Sequence, residues 1–532
     1  MATPPRLQPF FLVTVWAVVL FVFFALRIDT SSRTYFQIDD QIVVWAVDDA
    51  VNNNNWQPDW YRVGTQAAQQ KGMKLEIVRD EPLHEHHYNF SGHMLLSAAI
   101  IKPLRLLGIT TPTIVLLHHI AVFWDAISFL FVILAAHLIG GNITALCSAI
   151  LYTVFPLTVQ GSHYARPDAL LTAMGSILFW LALKKNCWKN SVWLLANGLV
   201  LGTATAGKAS QLMLGIFPAI ACCLPLLRAE NRNIKTFTTI VLQGLALLVL
   251  VFAVLQLMFF IGDMSVRDFW LSVRSVQLYY LHPKPPDILE HYSYIAQLTN
   301  IAAYFNATLG WPLLALGMTG IGALMTQKYI EVLLLIIIPF VFFILYFSSV
   351  PAFFDRSFCA LSAPIVILIS FGAVFLTKKV HLPTAISTLV ILMACWKPIE
   401  IQYHLQTDHL RNHHNKDRLA FQQQLKQQWS KKYDKDFWIK NIDRKNLFAQ
   451  ILPEKLTGNP RIYVAEDLND YNSRDYLEKL RSNSFVQIAS FEGDFADMPT
   501  NSLITVHEAA RFAYFVRSED INATQRQSQP SK

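Results

Sequence analysis

Charged residues are scarce in this chain: Asp, Glu, Lys and Arg make up 15% of 532 residues against 53% hydrophobic ones, and the mean hydropathy is +0.33. A soluble domain carries about 25% charged residues, so this shortage excludes a soluble globule. Cysteine is missing from the polar segments. All six (Cys147, Cys187, Cys222, Cys223, Cys359, Cys395) fall in or beside apolar runs, which leaves no disulfide framework. There is no internal repeat of the kind that marks many transporters. The net charge of +7 is spread too thinly for a nucleic-acid partner and matches the basic bias of membrane loops.

What the chain has in quantity is long apolar runs. "FFLVTVWAVVLFVFFAL" (10–26) and "TTIVLQGLALLVLVFAVLQLMFFIG" (238–262) reach the ~20 residues that span about 30 Å of hydrocarbon. Candidate spans are read at 10–26, 91–107, 113–139, 142–157, 168–183, 191–206, 209–227, 237–262, 308–326, 330–347, 358–377 and 381–397. The first has no A-x-A-like cleavage site and is taken as an anchor. Lys and Arg collect in short loops at Lys184, Lys185 and Lys189, at Arg228, Arg232 and Lys235, at Lys328, and at Lys378 and Lys379. If all twelve candidates cross from a cytoplasmic N-terminus, these clusters fall outside, against the usual bias. If 142–157, short and ending at Pro156, dips in and returns, about eleven crossings remain and every cluster becomes cytoplasmic. The expected fold class is therefore mainly α: a polytopic membrane helical protein of about 11 crossings plus a re-entrant segment. Its polar mass, at 27–90, 263–307 and beyond 400, would lie on the external face.

Residues 1–399 are expected to form the transmembrane domain and 400–532 a soluble extracytoplasmic tail. In the tail, "RIYVAED", "DYLEKLRSN", "FVQIASF" and "SLITVHEA" read as strand, helix, strand and strand of a small α/β domain. His409, His413 and His414 read as a solvated helix surface rather than a metal site.

Six places carry residues suited to chemistry. Asp39 and Asp40 stand together in "YFQIDDQIVVWAV", where Phe36, Ile38, Val43, Val44 and Val47 are spaced for an amphipathic helix at the membrane surface. Two readings stay open: a helix-start signal, or a partly desolvated general base. "EPLHEHHYNFSGHMLL" places His87 and Tyr88 before the next apolar run, as a headgroup, sugar or metal contact or as an interfacial belt. Glu85, His86 and His87 match no closed ligand spacing, so no cofactor is expected, a divalent metal being the alternative. "GSHYARPDALL" supplies Arg166, whose fork fits phosphate, and Asp168, which caps a helix or orients that Arg. "GTATAGKASQLM" puts Lys208 between two apolar runs, where a lysine snorkels or meets an anion. "FFDRSF" adds Asp355 and Arg356. Asp125 is the one acid well inside a span, and helix-to-helix hydrogen bonding is preferred for it over a proton relay.

The order of these landmarks resembles the integral-membrane GT-C glycosyltransferases, in particular the protein O-mannosyltransferases and aminoarabinose transferases. It runs from the acidic pair, through an aromatic-rich entry to the second run, "ARPDALL", "GTATAGKAS" and a long loop at 263–307, to "DRSFCALSAP". The resemblance implies a transferase that moves a sugar from a polyprenyl-phosphate-linked donor to a lipid, glycan or protein acceptor on the extracytoplasmic face; a cell inner membrane is the expected location. It implies Asp39 as catalytic base, Asp40 as its neighbour in the motif and Arg356 as a phosphate contact; Lys208 and Arg166 join them on charge and location. The family's pair is more often Asp-Glu, and its late arginine is usually followed by Tyr where this chain has Ser357. A transporter or flippase of lipid-linked sugars is the alternative.

Overall fold

The structure is a computed structural model that describes residues 9–31, 38–63, 66, 88–227, 229–281, 293–350, 355–383, 386–403 and four strands of the tail. The chain divides into two compact units, residues 1–74 with 81–399, and residues 75–80 with 400–532.

The first unit is helical. Its helices are α1 (Pro9–Ser31), α2 (Ile38–Asn52), α3 (Ser91–Leu106), α4 (Thr113–Val154), α5 (Pro156–Gly161), α6 (Asp168–Leu183), α7 (Asn190–Gly207), α8 (Ile216–Cys223), α9 (Ile234–Ile261), α10 (Val266–Leu281), α11 (Tyr294–Thr326), α12 (Ile330–Ser348), α13 (Ser362–Lys379) and α14 (Ile386–Ala394). Two 3-10 turns, Ala209–Gly215 and Asp355–Leu361, lead into α8 and α13. Among the described residues, six helical stretches are long and apolar enough to cross a membrane: Thr113–Val154, Ala209–Leu227, Ile234–Ile261, Tyr294–Thr326, Ile330–Ser348 and Arg356–Lys379. Thr14–Ile28 and Asp168–Leu183 are shorter apolar helices.

α4 consists of two arms. Gly141 adopts φ 78° and ψ −168°, a conformation essentially closed to other residues, and the helix turns back there. In the second arm Tyr152 Oη donates to Asp125 Oδ1 of the first arm at 2.6 Å. Asp125 thus serves helix-to-helix bonding, as its place in the sequence suggested. The second arm, 13 residues long, runs back along the first, and α5 follows it after the extended Phe155.

The direction of the first arm is fixed by α6. Ser128 and Ser176 hydroxyls are 2.7 Å apart, and the Phe131 ring meets Trp180 at 5.2 Å, so both helices run the same way. Matching these levels leaves six or seven residues of α4, roughly 10 Å, projecting beyond the start of α6. Around that projection lies a small core of Val43, Ala46, Val47 and Ala50 from α2, Met94, Ala98 and Ile101 from α3, and Ile114, Leu117 and Ile120 from α4. Its rim is polar. Thr113 donates to Asp48 at 2.5 Å, Arg105 to Thr113 at 2.9 Å, Lys102 to Asn54 at 2.6 Å and Arg62 to Asp49 at 2.5 Å. α3, where the sequence reading places a span, packs in this cap; it is 16 residues long and carries His93, Lys102, Pro103 and Arg105.

The bundle's opposite end collects the basic loops. Lys185 Nζ donates to the Ala221 carbonyl at 3.0 Å and to Gln243 at 3.4 Å, joining the Lys184–Lys189 loop to the end of α8 and the start of α9. Tyr329, beside Lys328, meets the Phe371 ring at 6.4 Å, near the end of α13 that carries Lys378 and Lys379.

The second unit contains a sheet of order β1-β2-β4-β3: β1 (Lys440–Ile442), β2 (Ile462–Ala465), β3 (Phe485–Phe491) and β4 (Phe512–Arg517). β1 and β2 are parallel and the other pairs antiparallel, with a register shift between Gln487 and Ala489. The strands expected in "RIYVAED" and "FVQIASF" are β2 and β3; that expected in "SLITVHEA" and the helix in "DYLEKLRSN" lie outside the described residues, as do His409, His413 and His414.

Candidate active site

At the end of the bundle away from the lysine loops, three separate segments bring cationic side chains together. Lys208 follows α7 in an extended conformation, φ −161° and ψ 117°, where Gly207 ends the helix and the 3-10 turn begins. Its backbone is tied on both sides: its N–H donates to Ala204 at 3.0 Å and its carbonyl accepts from Gln211 at 2.8 Å. Arg356 comes from the 3-10 turn before α13. Arg166 comes from the loop between α5 and α6. Burial and then the Arg356 charge push the Lys208 ammonium down from its ordinary pKa, with Arg166 acting in the same direction and Asp168 in the opposite one.

Asp168 opens α6, and its carboxylate lies 3.3 Å from Arg166 Nε, both residues being 4% exposed. The Arg166 guanidinium also sits over the Tyr164 ring at 4.1 Å. Two buried charges in one place are tolerated because they pair. Of the two roles weighed from the sequence, Asp168 does not cap the helix, whose cap position is Pro167 with no side-chain hydrogen bond; it is the first helical residue and pairs with Arg166. The Cys359 thiol donates to the Asp168 carbonyl at 3.5 Å, which joins the turn bearing Arg356 to the start of α6.

α3 brings the cap against this cluster. A Cβ on Gly92 would lie 2.6 Å from the Ala206 carbonyl group, so only glycine lets α3 approach α7 two residues before Lys208. The next residue, His93, places Nε2 2.7 Å from the Ala165 carbonyl. Tyr88 is buried with Leu95, Ala206, Met258, Phe259, Met264 and Phe269; its N–H donates to Ser272 Oγ at 2.8 Å and its hydroxyl accepts from Gln57 at 3.3 Å. Burial, with Asp59 next, pushes the Tyr88 phenol up to about 12. It is a neutral packing residue where cap, α7 and α10 meet.

Asp39 and Asp40 are the second and third residues of α2, in its first turn. α2 packs on the core that includes Ala165, the residue before Arg166. His87 lies outside the described residues. The structure therefore gathers Lys208, Arg356, Arg166 and Asp168 directly, sets Tyr88 on an adjoining packed layer, and carries Asp39 and Asp40 on a helix seated against the same loop. Sequence reasoning missed His93, whose signal, a lone histidine in an apolar run, was absorbed into a candidate span. No group of three His, Cys, Asp or Glu able to hold a metal ion occurs among the described residues.

The family model for dolichyl-phosphate-mannose-protein mannosyltransferases matches residues 103–258, a stretch that includes Arg166, Asp168 and Lys208. No curated protein matches the chain in sequence. Among solved structures, the oligosaccharyltransferase AglB from Archaeoglobus fulgidus, in complex with an inhibitory peptide and a dolichol-phosphate, is similar at TM-score 0.50 and 12% identity, over 95% of this chain and 77% of that one. ArnT from Cupriavidus metallidurans in the apo state is similar at TM-score 0.49 and 12% identity, over 95% and 97%. A structure of the Archaeoglobus fulgidus oligosaccharyltransferase with zinc and sulfate gives TM-score 0.45 and 15% identity over 73% of this chain; the chain spans 52% of that relative's length.

Fold and site together define a polytopic membrane protein with a basic cluster at one end of its helical bundle. Within that class it has the fold of the GT-C glycosyltransferases, in agreement with the resemblance read from the sequence.

Proposed function

We propose that the protein transfers a sugar from a polyprenyl-phosphate-linked donor to an acceptor hydroxyl on a lipid, glycan or protein. The observation that carries this reading is the convergence of Lys208, Arg356 and Arg166, from three segments, at the bundle end that also seats the acid-bearing helix α2. The acceptor oxygen attacks the anomeric carbon, the bond from that carbon to the phosphate oxygen breaks, and the lipid phosphate departs with the electron pair. Lys208 and Arg356 stabilise the departing anion, and Arg166, held by Asp168, orients it. Asp39 takes the acceptor proton, with Asp40 supporting its position. One base suffices for a single inverting displacement, whereas a retaining route would more usually call for a second carboxylate as nucleophile. Tyr88 borders the site through packing, and its sequence neighbour His87 is proposed as a substrate contact. The dolichol-phosphate in the AglB structure is a carrier of the class proposed here.

In this reading the site is extracytoplasmic in a cell inner membrane, because the lysine loops occupy the other end and such loops stay in the cytoplasm. Eleven crossings follow: α1, the two arms of α4, α6, α7, the stretch 209–227, α9, α11, α12, the stretch 356–379, and the stretch 386–403 that α14 opens. The segment that does not cross is α3. Residues 1–399 would be the catalytic unit and 400–532 an extracytoplasmic tail. The transporter alternative needs a mid-span acid free to relay protons, and Asp125 is instead bound by Arg27 and Tyr152. The test is purified protein given dolichyl-phosphate-mannose and a host membrane extract, with products read by mass spectrometry. Sugar transfer dependent on the protein is expected. Translocation of the intact donor across vesicles without transfer would overturn the reading in favour of transport.

A further inference from the structure

His93 occupies the first turn of α3, between the Ala206 backbone, against which Gly92 is pressed, and the loop that presents Arg166. Its Nε2 faces the Ala165 carbonyl at 2.7 Å. A carbonyl only accepts, so Nε2 carries the proton and Nδ1 is left with a bare lone pair. That Nδ1 is buried and has no hydrogen-bond partner, in a residue only 2% exposed. Burial dominates and pushes the ring down to about 4, against the Ala165 hydrogen bond and then the Asp168 charge, so the imidazole stays neutral and Nδ1 stays an acceptor.

A buried acceptor without a donor is uncommon in a folded protein and points to a group that arrives with a ligand. The cations nearby suit phosphate oxygens. Nδ1 cannot bind those, because both are acceptors. It needs an O–H, and a sugar phosphate brings hydroxyls together with its phosphate. We propose that His93 is a binding residue whose Nδ1 accepts a hydrogen bond from a hydroxyl of the donor sugar, so that one pocket reads the phosphate with Lys208, Arg356 and Arg166 and the sugar with His93. The inference rests on the transferase reading above and assigns the sugar-recognising contact within it.

The two ring nitrogens can be separated by substitution. His93→Gln keeps a donor near Nε2 for the Ala165 carbonyl and lacks an acceptor at Nδ1, whereas His93→Asn keeps an acceptor near Nδ1 and loses the tie to Ala165. Binding of dolichyl-phosphate-mannose and of dolichyl phosphate is measured without acceptor for wild type and both variants. The expected result is that His93→Gln binds the sugar-bearing lipid about 10-fold or more weakly and the bare lipid within twofold of wild type, while His93→Asn retains a preference for the sugar-bearing lipid. Equal weakening for both lipids in His93→Gln would make His93 structural and overturn the inference. So would unchanged affinity for both, or a wild type that does not distinguish them. A wild type that binds neither lipid would remove the transferase reading itself and the inference with it.

Discussion

Arg27 of α1 donates through Nε to the Asp125 carboxylate of α4, two fully buried side chains 98 residues apart. The same guanidinium donates to the Thr153 carbonyl at 3.1 Å and to Thr158 Oγ1 at 3.3 Å, and its face lies 3.8 Å from the Phe23 ring centroid. The carbonyls at the end of a helix have no partners within it, and here Arg27 supplies one. One residue therefore fastens the end of α1 to both arms of α4 and to α5, immediately before the chain enters the segment that leads to Asp39.

Removing Arg27 alone leaves Asp125 buried without its counter-ion. Arg27→Met should cost about 3–5 kcal/mol, while Arg27→Met combined with Asp125→Leu and Tyr152→Phe should recover most of the loss, because a buried pair contributes little beyond an apolar replacement. Thermal unfolding in detergent measures this. Equal Tm values for the single and triple variants would show that the pair's charges are not what holds α1 to α4.

The cap predicts a topology that the sequence reading did not contain. Leu107, at the end of α3, is 79% exposed. If α3 stays outside, Leu107→Cys in a background without the six native cysteines reacts with an impermeant reagent added outside intact cells. If α3 crosses and 142–157 dips, the same position reacts only from the cytoplasm.

Those two arrangements share a crossing count, which explains what was legible and what was not. Hydropathy located the break near Gly141, because two glycines interrupt a long apolar run, and charge counting showed that one of the twelve candidates should not cross. It could not tell which: α3 has enough Leu, Ile and Ala to pass for a span, and its burial against α2 exists only in the tertiary fold. Arg27 was read as the first residue of the external loop because a charge usually ends a span, whereas its partner lies 98 residues further on. Lys208, Arg356 and Arg166 stood out as cations between apolar runs, a local anomaly that needs no fold to be noticed. His93 carries no such mark, since its meaning comes from the Ala165 carbonyl and an empty Nδ1. In the tail, "FVQIASF" spans β3, while β4 at Phe512–Arg517 went unread.

Arg356 is expected to hold the donor phosphate by charge first and by its planar fork second. Arg356→Ala should therefore weaken donor affinity about 10- to 100-fold and Arg356→Lys less. Varying the lipid donor at fixed acceptor separates the effect from turnover. Unchanged donor dependence in a folded Ala variant would take Arg356 out of the site.

Lys208 makes donor binding depend on pH. Burial and Arg356 lower its pKa in the free protein, and a bound phosphodiester, which stays anionic throughout, raises it again. The bound pKa is then the higher of the two, so binding takes up a proton: affinity is greatest below the free value, falls as pH rises through the window between the two, and levels off above the bound value. Donor affinity measured across that range should show this decline. Lys208→Arg keeps the charge at every accessible pH and should flatten it. A decline that persists unchanged in the Arg variant would assign the titration to another group.

Asp39 is assigned the proton-accepting role because it leads the acidic pair in the first turn of α2. Asn preserves size and polarity but takes no proton. Asp39→Asn should lower turnover by ~10²-fold or more with donor binding retained, and Asp40→Asn should be milder. Transfer is followed at several pH values on variants matched for thermal stability, with donor affinity measured separately. Turnover like that of wild type in Asp39→Asn would refute the base assignment. Loss of donor binding would recast Asp39 as a binding residue, and a larger loss in Asp40→Asn than in Asp39→Asn would exchange the two roles.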